Sequence, residues 1–137
     1  MNKIKVSSKI ENLEKVVGFV HNQLANLDIP QKNLFQLDLA IEEAYVNIAK
    51  YAYIGREGEV LITSNLEENP LKITIQFIDQ GIPYNPLKNK DPDVSLNAEQ
   101  KEIGGLGILL IKNNVDYVGY EYRDGNNILA LQKKLND

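Results

Sequence analysis

The longest amphipathic segment of the sequence covers residues 34 to 53. Its apolar residues recur at intervals of three and four, which predicts a helix with one face packed on a core. The opposite face is polar, and it carries Glu43 and Asn47 four residues apart, with Lys50 on the next turn. Side chains at this spacing lie one turn above each other, with about 5–6 Å between Cβ atoms. The apolar positions that define the helix are Leu34, Leu37, Ile41, Ala44, Ile48 and Ala52.

Two interpretations of the polar face remain open from these residues. A carboxylate next to a carboxamide suits general-base chemistry beside a hard cation, because Mg²⁺ takes oxygen ligands and keeps several waters. Alternatively, Glu43, Asn47 and Lys50 simply form a solvated helix face. The helix by itself does not decide between them, so the other segments of the chain must.

The remaining regular elements can be predicted from periodicity and turn residues. Ser8 and Glu11 have the spacing of a capping box, which would start a first helix over residues 9 to 26. Alternating patterns predict a short edge strand over residues 1 to 7 and two antiparallel strands over 59 to 66 and 71 to 78. A terminal hairpin is expected over residues 115 to 123 and 127 to 134 around Asp124-Gly125-Asn126. In it we expect Val118, Tyr120 and Tyr122 to lie against Ile128, Ala130 and Leu131.

Composition limits the class of protein. At 137 residues, with 43% hydrophobic and 25% charged residues, the chain has the size and balance of one globular domain covering residues 1 to 137. It has no cysteine, no signal-peptide pattern and no membrane-length apolar stretch, so we expect a cytoplasmic protein. The net charge is −4 and the basic residues do not cluster, which argues against a nucleic-acid surface. His21, the only histidine, lies on the flank of the first helix's apolar stripe and has no other histidine or cysteine to complete a site, so we do not expect a metal or catalytic role for it.

A second candidate site follows the strand over residues 71 to 78 and reads Asp79-Gln80-Gly81-Ile82-Pro83-Tyr84-Asn85-Pro86. Asp, Gly and two prolines are ordinary loop residues, and a simple loop would account for all of them. A carboxylate fixed at the end of a buried strand can also accept a hydrogen bond from an exocyclic amine, while Gly81 lets a ligand approach the backbone.

The third candidate site comes after a long polar segment, residues 87 to 103. Loops of this length in a small domain are usually functional or disordered, and we interpret it as a lid. It ends in Gly104-Gly105-Leu106-Gly107, which opens an apolar helix to about Asn114, so that free amides and the helix dipole form an anion site. The dinucleotide fingerprint is incomplete and the P-loop ending is missing, so neither motif applies. The elements together predict a two-layer α/β (α+β) sandwich: a mixed, mostly antiparallel sheet of about five strands with three helices on one face.

The three sites in this order resemble the Bergerat-fold superfamily of histidine-kinase-like ATPases. The resemblance spans essentially the whole chain and is greatest to the anti-sigma-factor serine/threonine kinases of bacterial partner-switching systems. It rests on Glu43-Ala44-Tyr45-Val46-Asn47 with Lys50-Tyr51-Ala52-Tyr53, on residues 79 to 86, and on Gly104-Gly105-Leu106-Gly107-Ile108. By this resemblance the lid covers about residues 82 to 103.

The resemblance also implies roles for individual residues. Asn47 would hold Mg²⁺ at the ATP phosphates, Glu43 would be the catalytic base, and Asp79 would bind the adenine amino group. Where many related kinases carry Arg before the glycines, the nearest cation here is Lys101, which offers a point charge without a planar fork. The nucleotide site as a whole would comprise Asn47, Lys50, Asp79, Gly81, Tyr84, Lys101, Gly104, Gly105, Leu106 and Gly107.

Two functions are compatible with these residues. The first is an ATP-dependent serine/threonine kinase that binds a sigma factor and phosphorylates a small antagonist protein, with a homodimer suggested by the family. The second is a nucleotide-responsive binding switch without significant phosphoryl transfer. Glu43 and the lid are the features that distinguish the two functions.

Overall fold

The structure is a computed structural model that describes residues 1–88 and 105–136; for Lys88 and residues 105–107 only the backbone is described. Within these ranges it contains five strands and three α-helices, with short 3-10 turns at Ile10–Asn12 and Pro86–Lys88. No helix in the described ranges is long and apolar enough to cross a membrane. The elements are β1 (Asn2–Ser7), α1 (Leu13–Leu24), α2 (Gln31–Tyr51), β2 (Glu59–Glu67), β3 (Lys72–Asp79), α3 (Gly105–Asn114), β4 (Tyr117–Arg123) and β5 (Asn126–Lys134).

The strands form one open sheet in the order β1-β2-β3-β5-β4, and every neighbouring pair is antiparallel. β3 therefore lies at the centre, between β2 and β5. The register places Asp79, the last residue of β3, opposite Val60 on one side and Asn127 on the other. The expected sandwich is confirmed, with β1 at a sheet edge as predicted.

One face of the sheet is covered by the helices. Along β3 the residues alternate, and Ile73, Ile75 and Phe77 are fully buried while their neighbours are only partly covered. These residues join α1, α2 and α3 in a single apolar core. Because side chains alternate strictly between the two faces, Asp79 lies in phase with Phe77 and faces the helix layer.

The central helix α2 is held in place by its own buried residues. Leu37, Ile41 and Ile48 lie in the core, as the periodicity predicted. Tyr45 is fully buried, and its hydroxyl donates hydrogen bonds to the carbonyl oxygens of Ser7 (2.9 Å) and Lys9 (2.6 Å). These hydrogen bonds fix the helix to the end of β1. Its C-terminal turns and the end of β3 line the same cleft.

The starts of the first two helices differ from the sequence prediction. The chain around Ser8 and Glu11 is a 3-10 turn without a side-chain cap, and α1 begins only at Leu13. The helix predicted over residues 34 to 53 starts earlier, at Gln31, because Pro30 takes the N-cap position and its fixed φ suits a helix start.

The terminal hairpin has a different register from the one expected. Asp124 and Gly125 both have positive φ and form a two-residue turn, so Arg123 pairs with Asn126. Tyr120 consequently lies opposite Leu129, and the residue opposite Tyr122 is Asn127; Val118 pairs with Leu131. The pairing of β5 with β3 places Asn127 opposite Asp79 on the helix-covered face, and the hairpin register adds Tyr122 and Tyr120 beside it on β4.

Candidate functional site

The carboxyl group of Asp79 is the centre of the site. It is 5% exposed, at the end of the buried face of β3. Its Oδ1 accepts hydrogen bonds from the Gly81 backbone N–H (2.8 Å) and from Asn127 Nδ2 (3.0 Å). Burial raises the pKa of this carboxyl group, and the hydrogen bonds from Asn127 and Gly81 oppose that shift. Among the described residues both donors bind Oδ1, which leaves Oδ2 as an acceptor for a ligand donor.

Asn127 links Asp79 to the loop that follows it. Besides Asp79, its Nδ2 donates to the carbonyl oxygen of Ile82 (3.1 Å), and its Oδ1 accepts from the Tyr84 backbone N–H (3.3 Å). The Tyr120 hydroxyl on β4 also donates to Asn127 Oδ1. The donors and acceptors of one buried amide thus hold both the carboxylate and the start of the loop.

Gly81 allows the loop to pass close to the end of α2. A Cβ atom at this position would lie 2.7 Å from the carbonyl carbon and from Cβ of Ala52, and closer still to its carbonyl oxygen. That oxygen accepts a hydrogen bond from the Ile82 N–H (2.9 Å). The glycine therefore serves a contact between backbones, in addition to any role beside a ligand that the sequence suggested.

Asp79 lies in an open cleft between the C-terminal half of α2, the sheet and α3. Its walls are largely apolar, and its polar side chains converge from α2, β3 and β5. The lining residues are Ala44, Asn47, Ile48, Tyr51, Ala52, Asp79, Ile82, Tyr84, Pro86, Ile108, Ile111, Tyr120, Asn127 and Leu129.

Three of the residues predicted from sequence, namely Asn47, Asp79 and Tyr84, line this cleft, and Gly81 is buried beside it. Glu43 does not line it. Glu43 is half-buried one turn before Asn47, and among the described side chains none forms an ion pair with it. Lys50 is exposed. The cleft is thus lined by Asp79, the candidate for recognition of the base, and by Asn47, the candidate ligand of the cation. Glu43, the candidate proton acceptor, lies outside its wall.

Of the glycine-rich segment Gly104 to Gly107, the structure describes the backbone of Gly105, Leu106 and Gly107. Gly105, Leu106 and Gly107 form the first turn of α3, whose next residues, Ile108 and Ile111, line the cleft. The first amides of a helix have no partner within the helix and suit an anion. Lys101, Gly104 and most of the proposed lid lie outside the described residues.

Asn127 and Tyr120 are site residues that the sequence analysis missed. The signal that could have found Asn127 is an Asn on the buried phase of an apolar strand, two residues before Leu129 and 6% exposed. It was missed because its place opposite Asp79 depends on the pairing of β5 with β3, which is not a local feature of the sequence. Tyr120 was interpreted only as a packing residue of the hairpin.

No cluster of three His, Asp or Glu residues suited to a metal is present within residues 1–88 and 105–136. Mg²⁺ commonly takes one or two protein oxygens and fills its shell with phosphate oxygens and water. A single half-buried carboxamide at the edge of the cleft, Asn47, fits that mode of binding. The residues present therefore suit a cation that arrives with a phosphorylated ligand.

The structure is thus a two-layer sandwich in which a buried carboxylate and an asparagine face one cleft. The sequence model of the histidine kinase-like ATPase domain family matches residues 6–133 of the chain. The chain therefore belongs to that family. The family binds ATP. The predicted fold and family are both confirmed.

Individual relatives agree with this assignment. The chain is 28% identical over 134 residues to the serine-protein kinase RsbW of Bacillus thuringiensis (strain Al Hakam), covering 93% of this chain and 84% of that one. It is 31% identical over 106 residues to RsbW of Listeria monocytogenes serovar 1/2a, covering 74% and 66%.

Solved structures share the fold at lower identity. The RsbU and RsbW domains of Rv1364c from Mycobacterium tuberculosis superpose with a TM-score of 0.66 at 14% identity, over 98% of this chain and 33% of that one. The catalytic domain of the histidine kinase ThkA gives a TM-score of 0.58 at 12% identity, over 99% of each chain.

Proposed function

We propose that this protein binds ATP and Mg²⁺ in the cleft and transfers the terminal phosphoryl group to a serine or threonine of a small antagonist protein. In the same proposal it is an anti-sigma factor that holds a sigma factor when the antagonist does not compete. The observation that carries the proposal is the convergence of Asp79 and Asn47 on one cleft bordered by the start of α3. Relatives named as serine-protein kinases support it.

Asp79 is assigned to base recognition. Its Oδ1 is occupied by Gly81 and Asn127, so Oδ2 is the atom that would accept a hydrogen bond from the 6-amino group of adenine. The apolar walls formed by Ile48, Ile82 and others suit the faces of a purine ring. A carboxylate also disfavours a carbonyl at the same position, because two acceptors would face each other.

The phosphates are assigned to the opposite end of the cleft. The amides of Gly105, Leu106 and Gly107 in the first turn of α3 would bind phosphate oxygens, together with Gly104 and Lys101, which precede the helix in the sequence. Asn47 would hold Mg²⁺. Lys50, one turn beyond Asn47, adds a positive charge at this end. Positioning and charge neutralisation of this kind supply most of the catalysis in phosphoryl transfer.

The transfer step requires a proton acceptor. The substrate hydroxyl oxygen bonds to the terminal phosphorus of ATP, the bond from that phosphorus to the ADP oxygen breaks, and the hydroxyl proton passes to the Glu43 carboxylate. Glu43 lies one turn from Asn47, and within the described part of the chain no cation pairs with it, so its carboxylate is available for that proton. Its place outside the cleft wall suits contact with a protein substrate more than with the adenosine.

Binding is tested first, by thermal unfolding with and without Mg-ATP. A ligand at 100 times its Kd adds about 2.7 kcal/mol of stability, and we expect Tm to rise by the amount that corresponds to this stabilisation. GTP at the same concentration should give a smaller rise. No shift with ATP at millimolar concentration would refute the nucleotide site.

Transfer is tested with Glu43→Gln, using ATP labelled on the terminal phosphate and antagonist proteins captured with the chain. We expect the rate to fall by about 10²–10⁴-fold with the ATP-induced Tm rise retained. Glu42→Gln is the matched control, because Glu42 is exposed and about 100° around the same helix. If the wild type transfers nothing yet ATP changes its affinity for a partner, the nucleotide-responsive switch is the function instead.

A further inference from the structure

Tyr53 forms a bridge beside the site that the proposed function does not use. It lies just after α2, and its hydroxyl donates a hydrogen bond to the carbonyl oxygen of Glu59, the first residue of β2 (2.7 Å). The phenol oxygen of Tyr53 in turn accepts a hydrogen bond from the backbone N–H of Gln80 (2.7 Å). Gln80 directly follows Asp79, so one phenol oxygen ties the end of β3 to the start of β2.

The ring of Tyr53 is held in a defined place. A Cβ atom at Gly58 would overlap the Cε1 and Cζ atoms of the ring, so the chain passes too close there for any side chain. The guanidinium of Arg56 lies over the ring, 5.1 Å from its centroid, at a distance typical of a cation–π contact. Burial raises the pKa of the Tyr53 hydroxyl despite its hydrogen bond with Gln80. The hydroxyl therefore stays protonated and able to donate at neutral pH.

The segment that carries Asp79 is thus fixed to the end of α2 at two successive points. Tyr53 accepts from the N–H of Gln80, and Ala52 accepts from the N–H of Ile82 (2.9 Å). Between them lies Gly81, whose N–H donates to Asp79 Oδ1. One hydrogen bond on each side of Gly81, from the N–H of Gln80 and from the N–H of Ile82, fixes the position of this turn. The orientation of the Asp79 carboxylate depends on that position, because Gly81 donates to it.

We infer that Tyr53 is a positioning residue for Asp79 and, through it, determines the selectivity of the cleft for a 6-amino purine. This inference rests on the proposed base contact of Asp79. Tyr53 acts at a distance, through the turn, and does not line the cleft.

The experiment compares Tyr53→Phe with the wild type, using ATP and purine riboside triphosphate, which lacks only the 6-amino group. Calorimetry gives the ratio of the two Kd values. We expect the wild type to favour ATP about tenfold, as for a hydrogen bond to a charged acceptor, and the variant to favour it about threefold or less. The affinity for purine riboside triphosphate should change less than about twofold. Tyr117→Phe, an exposed tyrosine at the far end of β4, is the matched control and should keep the wild-type ratio.

Gly58→Ala provides a second route to the same contact, since the added methyl group displaces the Tyr53 ring. It should lower the ratio like Tyr53→Phe, and it carries the test if the phenylalanine variant does not fold. A wild type that discriminates while both variants keep its ratio overturns the inference alone. An equal loss of affinity for both nucleotides also overturns it, because a purely structural role has that signature. A wild type that does not discriminate overturns the base contact of Asp79 and the inference with it.

Discussion

The close approach at Gly81 makes a quantitative prediction for Gly81→Ala. The added Cβ would lie 2.7 Å from two carbon atoms of Ala52, whereas ordinary van der Waals contact begins near 3.4 Å. The loop or the end of α2 must therefore move by more than half an ångström, and the atoms in the way belong largely to backbone. Overpacking of this kind costs about 1–3 kcal/mol. With a urea m-value of about 2 kcal/mol/M, the midpoint of unfolding should fall by roughly 1 M.

The same change is expected to weaken ATP binding, because moving Gly81 removes its N–H from Asp79 Oδ1. Gly18→Ala is the matched control. Gly18 is exposed in the middle of α1 with nothing within 4 Å of an added Cβ, so the substitution should stabilise the helix by about 0.5–1 kcal/mol. The comparison isolates the local contact, since both variants add one methyl group. Equal urea midpoints for Gly81→Ala and the wild type would refute the steric argument.

Two further substitutions separate stability from recognition. Asp79→Asn keeps an oxygen that can accept the hydrogen bonds from Gly81 and Asn127. It removes the carboxyl group, whose pKa is raised by burial. A raised pKa means that the folded wild type loses stability as pH rises from the unfolded value of 3.8 through the folded value. The Tm of Asp79→Asn relative to wild type should therefore increase over that pH range and then stay constant, while ATP affinity is lost; a pH-independent difference would contradict this. Asn127→Leu should lower the free energy of unfolding in urea by about 1–3 kcal/mol, because the buried partners of the Asn127 amide lose their hydrogen bonds. Asn126→Ala is the control and should have little effect; similar losses for the two variants would contradict this prediction.

The parts of the fold that could be predicted from sequence depend on local periodicity. The buried phase of β3 ends on Asp79 because Ile73, Ile75 and Phe77 alternate without interruption, and that alone puts the carboxylate under the helices. The helical spacing of Glu43 and Asn47 is equally local. Asn47 lines the cleft and Glu43 does not. This difference depends on how α3 packs against α2, and it cannot be predicted from the residue pattern within α2.

The role of Asn127 could not be predicted because it requires two nonlocal facts. Its place opposite Asp79 needs β3 and β5 to pair across 48 residues of chain. Its contact with the Tyr120 hydroxyl depends on whether the last turn has two residues or three, since a shift of one residue turns every side chain of β4 to the other face. The positive φ angles of Asp124 and Gly125 select the two-residue form.

Recognition and folding use the same atoms at this end of the sheet. Asp79 is kept in an environment that disfavours its charge, which lowers stability at neutral pH but leaves a poorly hydrated acceptor for a ligand donor. The backbone around it is fixed by contacts to α2 and β5 that form whether or not a ligand is bound. Substitutions that disturb those contacts should therefore reduce stability and affinity together. Asp79→Asn should change them in opposite directions, which is the behaviour of a binding residue held in place by the fold.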